Sequence, residues 1–185
     1  MLGIDPGTLI TGYGLVGVRG KQFSMLSMGI IELRKLEDHA VKLNRIFERV
    51  SSIIRQYSPT EMAIEAPFYG KNVQSMLKLG RAQGVAIAAA LQYQLPIFEY
   101  APKKIKQSIT GNGNAAKEQV ASMIATLLRF ENDSKFLDAT DALGAAVCHL
   151  IQWEPTQFGS IQTKKNTMQK KSWSQFIKDN PDKLM

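Results

Sequence analysis

The sequence predicts an α/β domain: a mixed five-stranded sheet, three antiparallel strands followed by parallel ones, with helices on both faces. Three observations point there. Short apolar runs separated by a turn open the chain. Residues 43–57 then carry apolar side chains at spacings of three and four, the period of a helix with one buried face. Beyond that point strand-like runs and helix-like stretches alternate, the order from which parallel sheets are built.

Leu2-Gly3-Ile4-Asp5 reads as the first strand, stopped by Pro6-Gly7. Gly12–Val18 and Phe23–Leu33 read as the second and third, joined through Arg19-Gly20-Lys21. Leu43, Ile46, Phe47, Val50, Ile53, Ile54 and Tyr57 define the first helix, with Asp38 as its cap and Pro59 marking its end. Glu61–Glu65 is a buried strand stopped by Pro67. A helix is expected from Asn72 to Gln94, its small residues Ala86–Ala90 packing closely on a neighbour, and Pro96–Tyr100 is a strand. After the loop Gly111-Asn112-Gly113-Asn114, a helix is expected over Ala115–Phe130 with Asn114 as cap and Glu118 in support. The last helix runs from about Asp138 to Trp153. A right-handed crossover through the first helix would lay the fourth strand parallel to the first.

The chain of 185 residues is long enough for one domain with a sizeable core, expected over 1–153. Residues 154–185 are polar and Lys-rich, expected to form a basic, partly flexible tail in which Trp173, Phe176 and Ile177 make a short amphipathic stretch. Apolar residues make up 44% and charged residues 21%, and no run approaches the roughly 18 apolar residues of a membrane span. The chain opens on MLGIDPG with no signal-peptide pattern, and its single Cys148 allows no disulfide and no zinc motif. These features lead us to expect a cytoplasmic protein with no membrane association.

The formal net charge is +7, concentrated between residues 71 and 117. There Lys71, Lys78, Arg81, Lys103, Lys104, Lys106 and Lys117 face a single acid, Glu99. Such a field attracts a polyanion such as nucleic acid, although a solvated lysine surface would read the same way.

Acids terminate the first and fourth strands: Asp5 after an apolar run, Glu65 after Met62-Ala63-Ile64. If those strands are neighbours, both acids emerge at one edge. Asp138 and Asp141 stand at i and i+3 in the first turn of the last helix, on one face and near its positive dipole end. Taken singly, Asp5 also fits a Pro-Gly turn and Asp138 a helix cap. Taken together, four carboxylates repel unless hard cations bind them, and all-oxygen donors without Cys or His suit Mg2+ or Mn2+ rather than zinc. Two such ions can activate a water and stabilise the leaving oxygen of a phosphodiester.

Four stretches carry a family resemblance: GIDPGTLITGYG at 3–14, AIEAPFYGKNVQSMLKLGRAQGVAIAAAL at 63–91, EYAPKKIKQSITGNGNAAKEQV at 99–120 and DATDALGAAVCH at 138–149. The chain resembles RuvC-type Holliday-junction resolvases (crossover junction endodeoxyribonucleases) of the ribonuclease H-like superfamily, over roughly residues 2–153. The resemblance implies that Asp5, Glu65, Asp138 and Asp141 are the catalytic acids, holding two Mg2+ per subunit, and that Lys106 and Lys117 contact phosphate. It places Phe68 beside the scissile site, where stacking on an unpaired base is expected, with Tyr69 next to it. With the basic residues above, Asn112 completes the expected DNA-contact set. The resemblance further implies a homodimer through the helix at 72–94 and a branch-migration helicase complex of the RuvA and RuvB kind as partner. The implied activity is resolution of four-way junctions in recombination and repair, by paired nicks leaving 5′-phosphate and 3′-hydroxyl ends. Two other classes compete. A non-catalytic junction- or duplex-binding module would not need converging acids. An actin-like ATPase shares the strand–Asp–Gly-Thr turn but needs a second such domain.

Overall fold

The computed structural model describes residues 1–20, 22–67, 72–131 and 137–152. The strands are β1 (Leu2–Asp5), β2 (Ile10–Arg19), β3 (Gln22–Glu32), β4 (Met62–Glu65) and β5 (Ile97–Tyr100). The helices are α1 (His39–Tyr57), α2 (Val73–Leu91), α3 (Pro102–Thr110), α4 (Lys117–Leu128) and α5 (Leu137–Gln152). Sheet order is β3-β2-β1-β4-β5. β1 pairs antiparallel with β2 and parallel with β4, while β4 pairs parallel with β5, as the sequence predicts. Among the described residues no helix is long and apolar enough to cross a membrane. The tail expected at 154–185, including Trp173, Phe176 and Ile177, lies outside the described residues.

Local chemistry explains the element ends. Asp38 caps α1 by accepting the Val41 N–H at 3.0 Å. The helix stops at Ser58, which adopts a left-handed backbone and returns its N–H to the Ile54 carbonyl. The Asn114 cap is a correction. Helix α4 begins at Lys117 with Ala116 in the cap position and no side-chain cap bond. Asn114 gives its backbone N–H to Asn112 Oδ1 at 2.9 Å, so the asparagines close the preceding turn instead. Helix α3, which the strand and loop signals did not anticipate, begins with Pro102 in its first turn and buries Ile105 and Ile109 four residues apart.

Two apolar layers flank the sheet. Leu2, Ile4, Met62 and Ile64 point into one, with Ile46, Val50 and Ala86 from α1 and α2. Val16 and Ala63 point into the other, with Ile105, Ile124, Leu143 and Val147 from α3, α4 and α5. The alanines of α2 pack closely on a neighbour, as the sequence predicts. Ala82, Ala86, Ala89 and Ala90 are buried, and the neighbour they pack on is α1 of the same chain, because small side chains let the two helices approach.

Helix α5 lies directly on β1 and β2. A Cβ built on Gly3 would overlap the Ala142 carbonyl oxygen, and one on Gly12 the Asp138 carbonyl oxygen. The absence of a side chain at these positions lets helix backbone rest on strand backbone. Gly3→Ala should therefore lower unfolding free energy by about 1–3 kcal/mol, because rigid backbone on both sides has to shift. Urea denaturation of this variant against wild type checks the loss.

Candidate active site

The parallel register Leu2↔Met62, Gly3↔Ala63, Ile4↔Ile64 brings the carboxyl ends of β1 and β4 together, and Asp5 and Glu65 are the next residues along. Both alternate with residues buried on the α1–α2 side, so both point towards α5. The Pro6-Gly7 turn after Asp5 is fastened by Thr11, whose hydroxyl bonds the Gly7 N–H and carbonyl at 3.3 and 3.2 Å. From the helix side, the close seating of α5 delivers Asp138 and Asp141. Asp5, Asp138 and Asp141 each present a carboxylate oxygen within 4.8 Å of the others. Glu65 stands beside this trio: its charge acts on Asp5, and that of Asp141 acts on it.

These acids are held where carboxylates are uncomfortable. Burial, then repulsion from Glu65 and Asp141, raises the Asp5 carboxyl from its ordinary 3.8 to about 8. Burial and the Asp141 charge raise Glu65 from 4.5 to about 7. Asp141 is also raised, burial outweighing its bond to Lys117. Lys117 is the local counter-charge. Its ammonium lies 2.5 Å from Asp141 Oδ2 and 3.4 Å from Asp138 Oδ1. Burial works against its charge, but the bond to Asp141 and the two aspartate charges prevail and raise its pKa. Lys106 donates to the Ala115 carbonyl at 2.8 Å and lies near enough to ease the charging of Glu65 and Asp141.

Small clefts open on either side of Glu65. One, about 120 Å³, is lined by Glu65, Asp141, Lys106 and Lys117. The other, about 90 Å³, is lined by Asp5, Glu65, Leu79 and the buried Gln83. Gln83 was not legible as a site residue, because a polar residue within an Ala-rich helix carries no spacing signal. Its amide donates to Glu99 at 2.8 Å, which places the one acid of the basic stretch.

Of the residues expected to meet DNA, Lys106 and Lys117 reach the acids. Lys78 and Arg81 on α2, Lys103 and Lys104 on α3, and Asn112 in the turn after α3 are exposed and line neither cleft. The expectations at Phe68, Tyr69 and Lys71 lie outside the described residues. The four acids offer only oxygen donors and an excess of negative charge that Lys117 and Lys106 offset in part, a donor set that fits hard divalent cations.

Fold and site together define a ribonuclease H-like protein with a carboxylate centre able to bind metal. Residues 1–149 match the family described as crossover junction endodeoxyribonuclease RuvC. The chain is 59% identical over 184 residues to the crossover junction endodeoxyribonuclease RuvC of Cytophaga hutchinsonii, covering all of this chain and 87% of that protein. It is 55% identical to the RuvC of Bacteroides fragilis, covering all of this chain and 95% of that one. Among solved structures, Thermus thermophilus RuvC in complex with Holliday junction substrate is similar with a TM-score of 0.76 and 30% identity, over 82% of this chain and 92% of that one. The chain belongs to the RuvC crossover junction endodeoxyribonuclease family.

The raised acids set the sign of a pH effect. Unfolded, Asp5 and Glu65 ionise near pH 4; folded and metal-free, they keep their protons until about pH 8 and 7. Their contribution to stability is therefore full below about pH 4 and is lost as pH rises through 7 to 8. In a chelator, the unfolding temperature should fall between about pH 4 and 8. Asp5→Asn should flatten that fall, as thermal melts across that pH range would record.

Proposed function

We propose that this chain resolves four-way DNA junctions, using Asp5, Glu65, Asp138 and Asp141 to bind divalent cations and cut one phosphodiester per subunit. The observation that carries the reading is the meeting of Asp5, Asp138 and Asp141, from a strand and a helix far apart in sequence, in a member of this family. A non-catalytic DNA-binding module has no use for that cluster, which repels phosphate unless cations neutralise it.

Asp5, Glu65, Asp138 and Asp141 would hold the divalent cations, with Asp5, Asp138 and Asp141 each presenting an oxygen within 4.8 Å of the others. Bound Mg2+, or Mn2+ in its place, supplies Lewis-acid activation of water and stabilisation of the departing 3′ oxygen, leaving a 5′-phosphate and a 3′-hydroxyl. Lys117 pairs with Asp138 and Asp141, and its ammonium, beside the acids, would meet the scissile phosphate. Lys106, tethered to the Ala115 carbonyl, would receive a neighbouring phosphate from a fixed position. Phe68 would stack on a base unpaired near the cut.

Two symmetric nicks call for two symmetric sites. The surface that would supply them is the outer stripe of α2: Val73, Leu77, Gly80, Gly84 and Leu91, with Ile87 between them half-buried against the core. Val73 is 65% exposed, Leu77 52% and Leu91 59%, and among the described residues nothing lies within 4 Å of where Gly80 or Gly84 would carry a Cβ. An apolar stripe with a central pair of glycines suits a second copy of the same helix. A branch-migration helicase complex of the RuvA and RuvB kind is the partner that would present the junction, in the cytoplasm.

Asp5→Asn should abolish Mg2+-dependent nicking of a synthetic four-way junction while leaving junction binding near the wild-type level. Normal cutting by Asp5→Asn, Glu65→Gln and Asp141→Asn alike would overturn the assignment. Leu77→Glu should convert the dimer to a monomer by analytical ultracentrifugation, and the paired nicks on one junction should become independent events.

A further inference from the structure

A polar network crosses the described core at the foot of the two elements that carry the acids. His149, on α5 and only 4% exposed, places Nδ1 2.7 Å from the Tyr100 hydroxyl and Nε2 3.2 Å from Glu61 Oε2. A single imidazole tautomer satisfies both: Nε2–H donates to the carboxylate and Nδ1 accepts the phenol O–H. The Phe98 ring lies against the imidazole, with centroids 4.2 Å apart. A buried polar group with both partners in place specifies one arrangement of the elements that carry it, because any slip leaves donors or acceptors unpaired.

The elements joined are the ones that matter to the site. His149 is on the helix that begins with Asp138 and Asp141, about 12 Å along the axis from Asp141. Glu61 precedes the strand that ends in Glu65, about 13 Å away. Tyr100 is registered directly opposite Glu65 on β5, and its carbonyl accepts the Ala66 N–H at 2.9 Å. The glycine contacts seat α5 on β1 and β2, but apolar and small-residue packing alone tolerates small slides along the helix axis. The hydrogen bonds of His149 do not.

We propose that Glu61, His149 and Tyr100 are positioning residues for the acidic centre: they fix the register of α5 against β4 and β5, and so the spacing of Asp138 and Asp141 from Glu65. The consequence for metal binding rests on the function proposed above; the consequence for geometry does not.

The test uses the full chain. Tyr100→Phe keeps the ring and removes only the hydroxyl, Glu61→Gln keeps an acceptor but removes the charge, and Ile124→Val thins the same apolar layer without touching the network. Two readouts are taken: Mg2+ affinity by calorimetry, and the backbone amide resonances of residues 139–141 in metal-free protein. Tyr100→Phe should weaken Mg2+ binding about tenfold and shift those amides. Glu61→Gln should do the same to a smaller extent, and Ile124→Val should leave both readouts at wild-type values. The proposal is overturned if either readout stays unchanged in Tyr100→Phe, or if Ile124→Val moves both as far. Should the wild-type chain bind no Mg2+, the proposed function fails, and the amide shifts alone decide the positioning role.

Discussion

Helix α5 rests on strand backbone at Gly3 and Gly12, and the rest of the molecule is arranged around that contact. With side chains between them, the helix would stand off and its two aspartates would be carried away from Asp5. The helix is built for the same purpose. Ala139, Ala142, Ala145 and Ala146 are fully buried, a face of small side chains that can lie flat on the sheet. The parallel pairing of β1 with β4 does the complementary work by setting Glu65 beside Asp5. One contact perpendicular to the sheet and one within it therefore define the site.

Gathering acids in this way opposes folding stability. Each carboxyl is half-buried and repelled by its neighbours, which is why Asp5 and Glu65 hold their protons far above the ordinary range. Lys117 relieves part of the repulsion, and its pairing with Asp138 and Asp141 gives the metal-free chain a definite arrangement instead of a collapsed or splayed one. Active sites commonly carry such a local penalty because the same field is what draws cations in. The two apolar layers on either side of the sheet supply the stability that offsets it.

The faces of the molecule divide their tasks cleanly. One side of α2 closes the core against α1 through alanines, and its outer stripe of glycines and large apolar residues is left exposed. The acids open at the carboxyl edge of the sheet, with Lys106 and Lys117 beside them.

Much of this was legible in the sequence. The strand order, the helices other than α3, the Asp38 cap and the acids at the ends of β1 and β4 follow from hydrophobic period, turn chemistry and motifs, because each is encoded by residues close together in the chain. Where sequence reading failed, a competing local bond or a distant partner decided. Asn114 gives its N–H to Asn112 instead of capping α4, and α3 formed over residues to which the sequence reading gave no element. Tertiary structure alone decided that Lys117 pairs with the aspartates, that Glu61, His149 and Tyr100 join across the core, and that three acids share one 4.8 Å cluster. Those facts depend on how closely α5 approaches the sheet, and that distance is set by backbone meeting backbone, which no spacing along the chain reveals.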